Sequence, residues 1–466
     1  MSEPLTRPLL IEERVPLDAD LRARYESLSL ETPAVYGQLK VLKGVNEILR
    51  ERFFDSGCIE NPNLSATHLN ESSLLEQEQR WLGLKEEIIS SQPDPDIRQA
   101  YRWAINEAIA NSRMARYSQK SDMRRFQVYN EFIYGPRDPE VFAATADWLR
   151  DSAAKSIDHE NPQVSEAAAG VLELVPDMGG SRDFLKPSPE VFEAVRRRHY
   201  AEKGYFALLL AGVELPNEGK VPKQVGDEAI WQVLENIGSR LDIMHVDGKA
   251  FGINRHKGAV ESPRDYSFVL KRFIGLPLAH EVGGHELEYQ NGGRQALRLF
   301  GAGLDRYESG NEGRAVVREQ LPYETFDDFA KTLRWQDIMR RHFAVCLAAG
   351  LAGKPMSFSE TFEVVNAVDR LWERKKKGAD MAQADTKADN RTWDLLSTKV
   401  YVGTRGEGEA VYMKNAVYLE GNIACWRAAE ENPEIIEQGD LGKFDITNPR
   451  HIALAQRFGV LPTPEQ

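Results

Sequence analysis

The chain has 466 residues, of which 42% are hydrophobic and 28% charged, and its formal net charge at pH 7 is −13. This composition is typical of a globular protein with enough apolar residues for a sizeable core. The negative charge argues against nucleic acid and against an anionic membrane as partners, because binding phosphates requires a net basic face. Three widely spaced cysteines, Cys58, Cys346 and Cys425, indicate a reducing compartment and no disulfide framework.

The N-terminal sequence and the hydropathy pattern predict a cytoplasmic protein. Glu3 and Pro4 stand where a signal peptide would carry basic and then apolar residues. The sequence also contains no apolar run of 18 residues, the length that a membrane-spanning helix needs.

In chain order, we expect an N-terminal helical extension over residues 1–93 and a main domain over residues 94–466. Within the main domain the pattern predicts a helical part (94–225), a core (226–330) and a C-terminal helical part (331–466). Asp94-Pro95-Asp96 opens a long helical pattern that continues with one break to Tyr134. The polar residues 378–391 are predicted to be a loop.

Strand signals are confined to the predicted core, so the expected fold class is α+β and predominantly helical. Apolar and polar residues alternate on both sides of Val246-Asp247-Gly248, which predicts two antiparallel strands joined by a turn. Ser262, with Pro263 after it and Asp265 three residues on, predicts a capped start for the helix that carries His280. Asn291-Gly292-Gly293 would end that helix in a left-handed turn.

The most informative stretch is His280-Glu281-Val282-Gly283-Gly284-His285, with Glu312 27 residues later. Two imidazoles and a carboxylate are ligands with which a catalytic zinc keeps its fourth position open for water. Glu281, beside the first histidine, would then be the general base. The alternative is an ordinary buried helix, but histidine is scarce (9 in 466), which disfavours a chance match.

The five-residue spacing of the two histidines requires a distorted helix. On a regular helix of about 3.6 residues per turn they would point roughly 140° apart, too far to share one ion. A π-turn would absorb the extra residue, and such turns concentrate at functional sites. Gly283 and Gly284 are the residues best able to accept the distorted backbone.

These motifs resemble the microtubule-associated tyrosine carboxypeptidase family, whose bacterial relatives are often labelled by a QEGLA motif. The resemblance covers residues 95–463 and rests on the histidine motif, Asn291-Gly292, Gln295, Gly303-Leu304, Asn311-Glu312-Gly313-Arg314-Ala315, Tyr412-Met413-Lys414-Asn415 and Tyr418-Leu419-Glu420-Gly421. The chain departs from the family at Asn311 (glutamine in relatives), Arg314 (leucine) and Gly284 (often threonine). The resemblance implies a gluzincin-like metallopeptidase core, a metal-helix pair with a small antiparallel sheet, beside an added helical layer.

Together the motif and the resemblance predict a zinc metallopeptidase of carboxypeptidase type. One Zn²⁺ per chain would be held by His280, His285 and Glu312, and the substrate would be the C-terminal tail of a peptide or protein. Tyr418, Lys414, Arg405 and His256 are candidates for stabilising the oxyanion, and the family motif favours Lys414 and Tyr418 as catalytic residues. Candidates for binding the terminal carboxylate are Arg405, Arg255 and Lys257, and Asn254 is a candidate for binding substrate backbone.

Two other functions remain open at this stage. One is a zinc-dependent hydrolase of a non-peptide amide, which the same zinc and general base would serve. The other is a non-catalytic binding protein that has kept the metal. A structural zinc site is normally closed by four protein ligands, often cysteines, whereas this motif offers three ligands and a potential base.

Overall fold

The computed structural model describes residues 17–32, 34–247, 251–376 and 378–463. Helices dominate it. In the first half they are α1 (Ala19–Glu31), α2 (Val35–Leu39), α3 (Lys43–Asp55), α4 (Glu71–Ser91), α5 (Pro95–Gln119), α6 (Met123–Tyr134), α7 (Pro139–Ala154), α8 (Pro162–Leu174), α9 (Pro189–His199), α10 (Tyr205–Leu209) and α11 (Lys223–Asn236).

The second half continues with α12 (Leu270–Phe273), α13 (Leu287–Gly292), α14 (Leu299–Ala302), α15 (Glu308–Gln320), α16 (Phe326–Ala330), α17 (Leu333–Ala348), α18 (Phe358–Arg374), α19 (Met381–Leu395), α20 (Val417–Glu431), α21 (Ile435–Gln438) and α22 (Pro449–Arg457). Two segments, Ile274–Glu286 and Leu396–Val400, are π-helical. Three short 3₁₀ turns cover Arg182–Leu185, Met413–Ala416 and Gly439–Leu441.

Five short strands form two small sheets: β1 (Lys220–Val221), β2 (Asp242–Val246), β3 (Gly252–Asn254), β4 (Ala259–Pro263) and β5 (Phe268–Val269). β1 pairs antiparallel with β5, and the other three strands are ordered β2-β4-β3. The predicted fold class, α+β with a small sheet, is confirmed. The larger sheet is mixed and not purely antiparallel, because β2 runs parallel to β4 and β3 runs antiparallel to it.

The predicted hairpin between the strands around residues 243 and 253 is wrong. β4 lies between β2 and β3 and takes the hydrogen bonds that each would have given the other. The predicted helix start at Ser262 is wrong for the same reason, since Ser262 and Pro263 lie in β4 opposite His245 and Val246. The helix begins at Leu270 instead. Gly248 of the predicted turn lies outside the described residues.

Several local signals are confirmed and two are wrong. The helix after the histidines ends at Gly292 as expected, but Gly293 has φ −65°, so the predicted left-handed turn is wrong. Asp94 caps α5 through hydrogen bonds from the N–H groups of Asp96 and Ile97, and the helical pattern breaks once before α6 ends at Tyr134. Residues 378–391 are not a loop: Asp380 caps α19, which covers most of that stretch.

One large cluster of buried apolar side chains runs through the molecule. It includes Leu21 of α1 and Trp81 of α4, together with Leu278 and Val282 of the first π-helical segment and Val316 of α15. The N-terminal helices therefore pack on the same core as the segment that carries the histidines. Among the described residues, no helix combines the length and the apolar character that crossing a bilayer needs.

Candidate metal centre

The predicted π-turn is confirmed, and it extends over the whole histidine motif. In the π-helical segment Ile274–Glu286 the backbone hydrogen bonds join residues five apart, so residues five apart lie on the same face, as residues four apart do in an α-helix. His280 and His285 are therefore neighbours, with ring centroids 5.0 Å apart.

Side chains from other elements hold the distorted backbone by binding its carbonyl groups. The hydroxyl of Tyr205 donates to the carbonyl of Ala279 (3.0 Å), and Arg318 donates to the carbonyl of Gly283 (3.3 Å). Gly283 is required here for packing, since a Cβ at this position would lie 2.2 Å from the Tyr205 hydroxyl oxygen. Neither Gly283 nor Gly284 has a positive φ, so their role is close approach and not left-handed backbone.

Glu312, on α15, completes a three-residue cluster with the two histidines. One oxygen of its carboxylate, Oε2, lies 3.5 Å from Nε2 of His280 and 3.5 Å from Nε2 of His285. Ligand atoms about 2.0–2.1 Å from a tetrahedral zinc are roughly 3.4 Å apart, so both separations fit a shared ion. The same oxygen is buried without a hydrogen-bond partner among the described residues, which is expected of an atom placed to bind a cation.

Small residues bring the helices of the site together. Gly275 lies against the backbone of Glu319, where a Cβ would be 3.0 Å from the Glu319 carbonyl oxygen, and this contact places α15 beside the π-helical segment. Gly313, although equally small, does not serve this contact. It packs against Gly421 of α20, on another side of α15.

A second layer of charged side chains orients His280. Nδ1 of His280 lies 2.7 Å from a carboxylate oxygen of Glu319, and Arg334 of α17 forms two hydrogen bonds with Glu319 (2.6 and 2.7 Å). Such carboxylate–histidine pairs fix which ring nitrogen is left for the metal. Sequence analysis missed both residues. The seven-residue interval from Glu312 to Glu319, two turns of one helix, is a signal that could have revealed Glu319.

The two glutamates beside the histidines, Glu281 and Glu312, differ in the direction of their pKa shifts. Burial raises the pKa of Glu281 above its ordinary value, although the histidines oppose this. Burial also acts to raise the pKa of Glu312, but the neighbouring imidazoles of His280 and His285 hold it well below its usual range. Glu281 is thus the carboxylate that takes up a proton more readily, and Glu312 is the one that remains an anion. Oε1 of Glu281 lies 4.0 Å from Nε2 of His280.

Lys414 and Tyr418 lie beside this cluster. The ammonium group of Lys414 donates to Glu308 (3.0 Å), which precedes Glu312 by one turn of α15. Tyr418 is on α20, which packs against α15, and after burial the charge of Glu312 is the largest influence raising the Tyr418 pKa. Both predicted catalytic residues therefore belong to segments that contact α15, the helix that carries Glu312.

The predicted substrate-binding residues are placed less uniformly. Arg255 lies against the metal segment, where it donates to the carbonyl of His285 (3.1 Å), pairs with Glu286 (2.8 Å) and stacks on Tyr289. Its guanidinium is thus engaged in holding the site together.

The other candidates make their side-chain contacts outside the cluster. Asn254 ends β3, the strand that packs against the π-helical segment, and it donates to Glu261 (2.7 Å), with which Lys257 also pairs at 3.5 Å. His256 is exposed in the turn between β3 and β4. Arg405 pairs with Glu407 and Glu409 and lines a surface groove with residues 121–131. Within the described residues, the structure does not bring Arg405, Lys257 or His256 to the metal cluster.

A second buried group, His342, Cys346 and Glu420, also has ligand atoms close together. The positive charge in this group is already supplied by Arg137, which pairs with Glu420 at 2.9 Å. His342 in turn contacts Glu420 (3.2 Å) and Thr145 (3.3 Å). The group is a satisfied polar network, and the first cluster is the better metal site.

Comparison with known proteins agrees with this choice. The model of the family described as microtubule-associated tyrosine carboxypeptidase matches residues 268–466, somewhat less than half of the chain. The match does not extend over residues 95–267, which the sequence resemblance had included. The chain has no significant match among curated proteins or solved structures. The matched part contains His280, His285, Glu312 and Glu319, and over this part the chain matches the microtubule-associated tyrosine carboxypeptidase family, as its motifs predicted.

Proposed function

We propose that this protein is a zinc-dependent carboxypeptidase that removes a residue from the C-terminal tail of a peptide or protein. The observation that carries the proposal is the carboxylate oxygen of Glu312, which lies 3.5 Å from a nitrogen of both His280 and His285. Two features support it: Glu281 lies beside the three ligand atoms, and the matching family is described as a carboxypeptidase.

The residues of the chain fit the steps of amide hydrolysis. When bound, zinc supplies a Lewis acid and lowers the pKa of a water molecule towards neutrality. Glu281 accepts the proton of the attacking water and delivers it to the departing amine, a role suited to a carboxylate whose pKa is raised by burial. Lys414 and Tyr418 would donate to the oxygen that gains charge.

The surroundings of the site support the same function. Glu319 and Arg334 hold the His280 ring in the orientation that leaves Nε2 for the metal. We further propose that the π-helical segment, α15 and the small sheets form the gluzincin-like core. Two further predictions from the sequence stand as proposals. One is the division into an extension (1–93) and a metallopeptidase domain (94–466), and the other is the cytoplasmic location.

The first experiment measures zinc per chain by elemental analysis in the wild type and in Glu312→Ala. We expect about one zinc in the wild type and a sharp loss in the variant, because only two ligands remain. A wild type that binds no zinc when zinc is supplied would contradict the proposal.

The second experiment tests catalysis with Glu281→Gln, which keeps the shape of the side chain. General-base catalysis contributes typically 10²–10⁴-fold, so turnover of a peptide with a free C-terminus should fall by about that factor while zinc stays bound. Glu363→Gln, at an exposed position of α18, is the matched control and should leave turnover unchanged. Retained turnover in Glu281→Gln would remove Glu281 from the mechanism.

The two alternatives make different predictions in the same assays. A hydrolase of non-peptide amides would bind zinc and lose activity in Glu281→Gln, but would release no amino acid from peptides. A binding protein that has kept its metal would show no turnover in the wild type. Release of a C-terminal amino acid by the zinc-loaded wild type therefore distinguishes the proposal from both.

A further inference from the structure

Four cationic side chains come from segments that pack together beside α20, the helix that carries Tyr418. We call them the cationic cluster: Lys40 directly after α2, Arg341 of α17, Lys399 of the second π-helical segment and Lys414 of the 3₁₀ turn Met413–Ala416. Lys399 and Lys40 each have their ammonium group 4.5 Å from the centre of the Tyr36 ring, so the two lysines share one aromatic side chain.

Two hydrogen bonds to backbone carbonyls hold together the segments that carry Lys399 and Lys414. The side-chain amide of Asn415 donates to the carbonyl of Lys399 (3.0 Å), and the N–H group of Tyr412 donates to the carbonyl of Val400 (2.7 Å). Because Lys399 sits in a π-helical turn, the chain has a second distorted segment next to its site, and such segments concentrate at functional positions.

The cationic cluster is only half neutralised by the protein. Arg341 pairs with Asp337 (2.6 Å) and Lys414 pairs with Glu308 (3.0 Å). Lys40 and Lys399 have no carboxylate partner among the described residues. Lys399 is also partly buried, and a buried cation without a partner destabilises a fold unless something else compensates it.

The cationic cluster is next to the metal centre and not on a remote surface. Lys414 links the cationic cluster to the metal centre, because its ammonium group lies 3.0 Å from Glu308, one turn before Glu312 on α15. Arg341 also follows Arg334 by seven residues on α17, two turns or about 10 Å along the helix axis. One face of α17 thus connects the support of His280 to the cationic cluster.

We propose that the cationic cluster binds a carboxylate of the substrate peptide, with Lys399 as its principal ligand, and that Tyr36 of α2 and Lys40 directly after α2 contribute to this subsite. The inference rests on the proposed function, because it assumes a peptide at the metal centre. It assigns the role to residues other than Arg405, Arg255 and Lys257. It also gives the N-terminal helices, which lie outside the matched family region, a part in substrate recognition.

Binding is measured with zinc-loaded Glu281→Gln protein, so that the probe stays intact. The probe is fluorescein-labelled Ala-Ala-Glu-Ala-Tyr with a free C-terminus, read by fluorescence anisotropy. A charge-assisted hydrogen bond contributes about 1.5–3 kcal/mol, so adding Lys399→Gln should weaken binding about tenfold or more. Adding Lys40→Gln, at an exposed position, should weaken it about two- to fivefold. The matched control is Lys354→Gln, an exposed lysine paired with Glu360, and it should have no effect.

Two further peptides identify which carboxylate is bound. If the terminal carboxylate is bound, the same peptide with a C-terminal amide should bind weakly to Glu281→Gln protein, and adding Lys399→Gln should not weaken its binding further. If the side-chain carboxylate is bound, the peptide Ala-Ala-Gln-Ala-Tyr should bind weakly instead, again with no further loss on adding Lys399→Gln. An equal loss for all three peptides, or no loss for any, would overturn the proposal.

The outcomes also separate this inference from the proposed function. Cleavage of the unlabelled peptide by the wild type with unchanged kcat/KM in Lys399→Gln would leave the function standing and overturn the subsite. Binding without cleavage, weakened by Lys399→Gln, would support the subsite and contradict the peptidase function. A wild type that neither binds nor cleaves the peptide would contradict both.

Stability supplies a test that needs no substrate. Burial, and then Arg341, Lys40 and Lys414, lower the pKa of Lys399 to about 7, while Asp337 acts in the opposite direction. Lys399 therefore loses its proton near pH 7 in the folded protein. In the unfolded chain it loses the proton only near pH 10.5. This destabilisation is complete below pH 7 and disappears as the pH rises from about 7 to 10.5. Lys399→Met should thus unfold at a higher temperature than the wild type at pH 6, with the difference vanishing near pH 10.5. Equal stability at pH 6 would show that Lys399 is already compensated within the protein.

Discussion

Replacing Glu319 by glutamine tests whether the second layer of the site sets its affinity for zinc. The change keeps the shape of the side chain but removes the charge that lies 2.7 Å from Nδ1 of His280 and forms two hydrogen bonds with Arg334. Loss of such an outer partner typically weakens metal binding 10–100-fold, which corresponds to about 1.4–2.7 kcal/mol. We expect a zinc dissociation constant raised by that factor, with the three ligands still in place.

The assay is a competition titration against a chromophoric zinc chelator at fixed pH. His280→Ala removes a ligand outright and should weaken binding more than Glu319→Gln does. Glu363→Gln, remote and exposed, should match the wild type. Because the variant also leaves the mostly buried Arg334 without its carboxylate, unfolding of the metal-free protein is measured in parallel. An unchanged zinc affinity in a folded Glu319→Gln protein would refute the idea that this carboxylate tunes His280.

Two further predictions concern the π-helical segment and the metal. Gly283→Ala would place a methyl group 2.2 Å from the Tyr205 hydroxyl oxygen, so we expect a loss of about 1–3 kcal/mol in the free energy of unfolding, measured by urea titration. Adding Tyr205→Phe removes the closest clash and should recover part of that loss; no recovery would place the strain elsewhere. Zinc at a free concentration of 100 times its dissociation constant should stabilise the folded wild type by about 2.7 kcal/mol. The same zinc concentration should stabilise Glu312→Ala much less. An equal thermal shift in both proteins would mean that zinc binds elsewhere.

The sequence alone determined the features that depend on neighbouring residues. The five-residue spacing of His280 and His285 is incompatible with one metal on a regular helix, so the π-helical segment could be predicted from geometry. The capped start of α5 at Asp94 and the break before α6 also follow from local chemistry. Glu312 was found because its motif accompanies the histidines in one family, and that family match is confirmed over residues 268–466.

Only the tertiary structure decided which distant segments meet. The strand Asp242–Val246 was expected to pair with β3, the next strand in the chain. It pairs instead with β4, along its whole length of five residues. This pairing includes Ser262 and Pro263 in the sheet, so no helix starts there. Strand pairing and burial depend on the whole chain, whereas caps and helical repeats depend on a few residues. Arg334 and Lys399 carry no local signal for the same reason: their significance lies in a carboxylate 15 residues away in sequence and in a tyrosine from the opposite end of the chain.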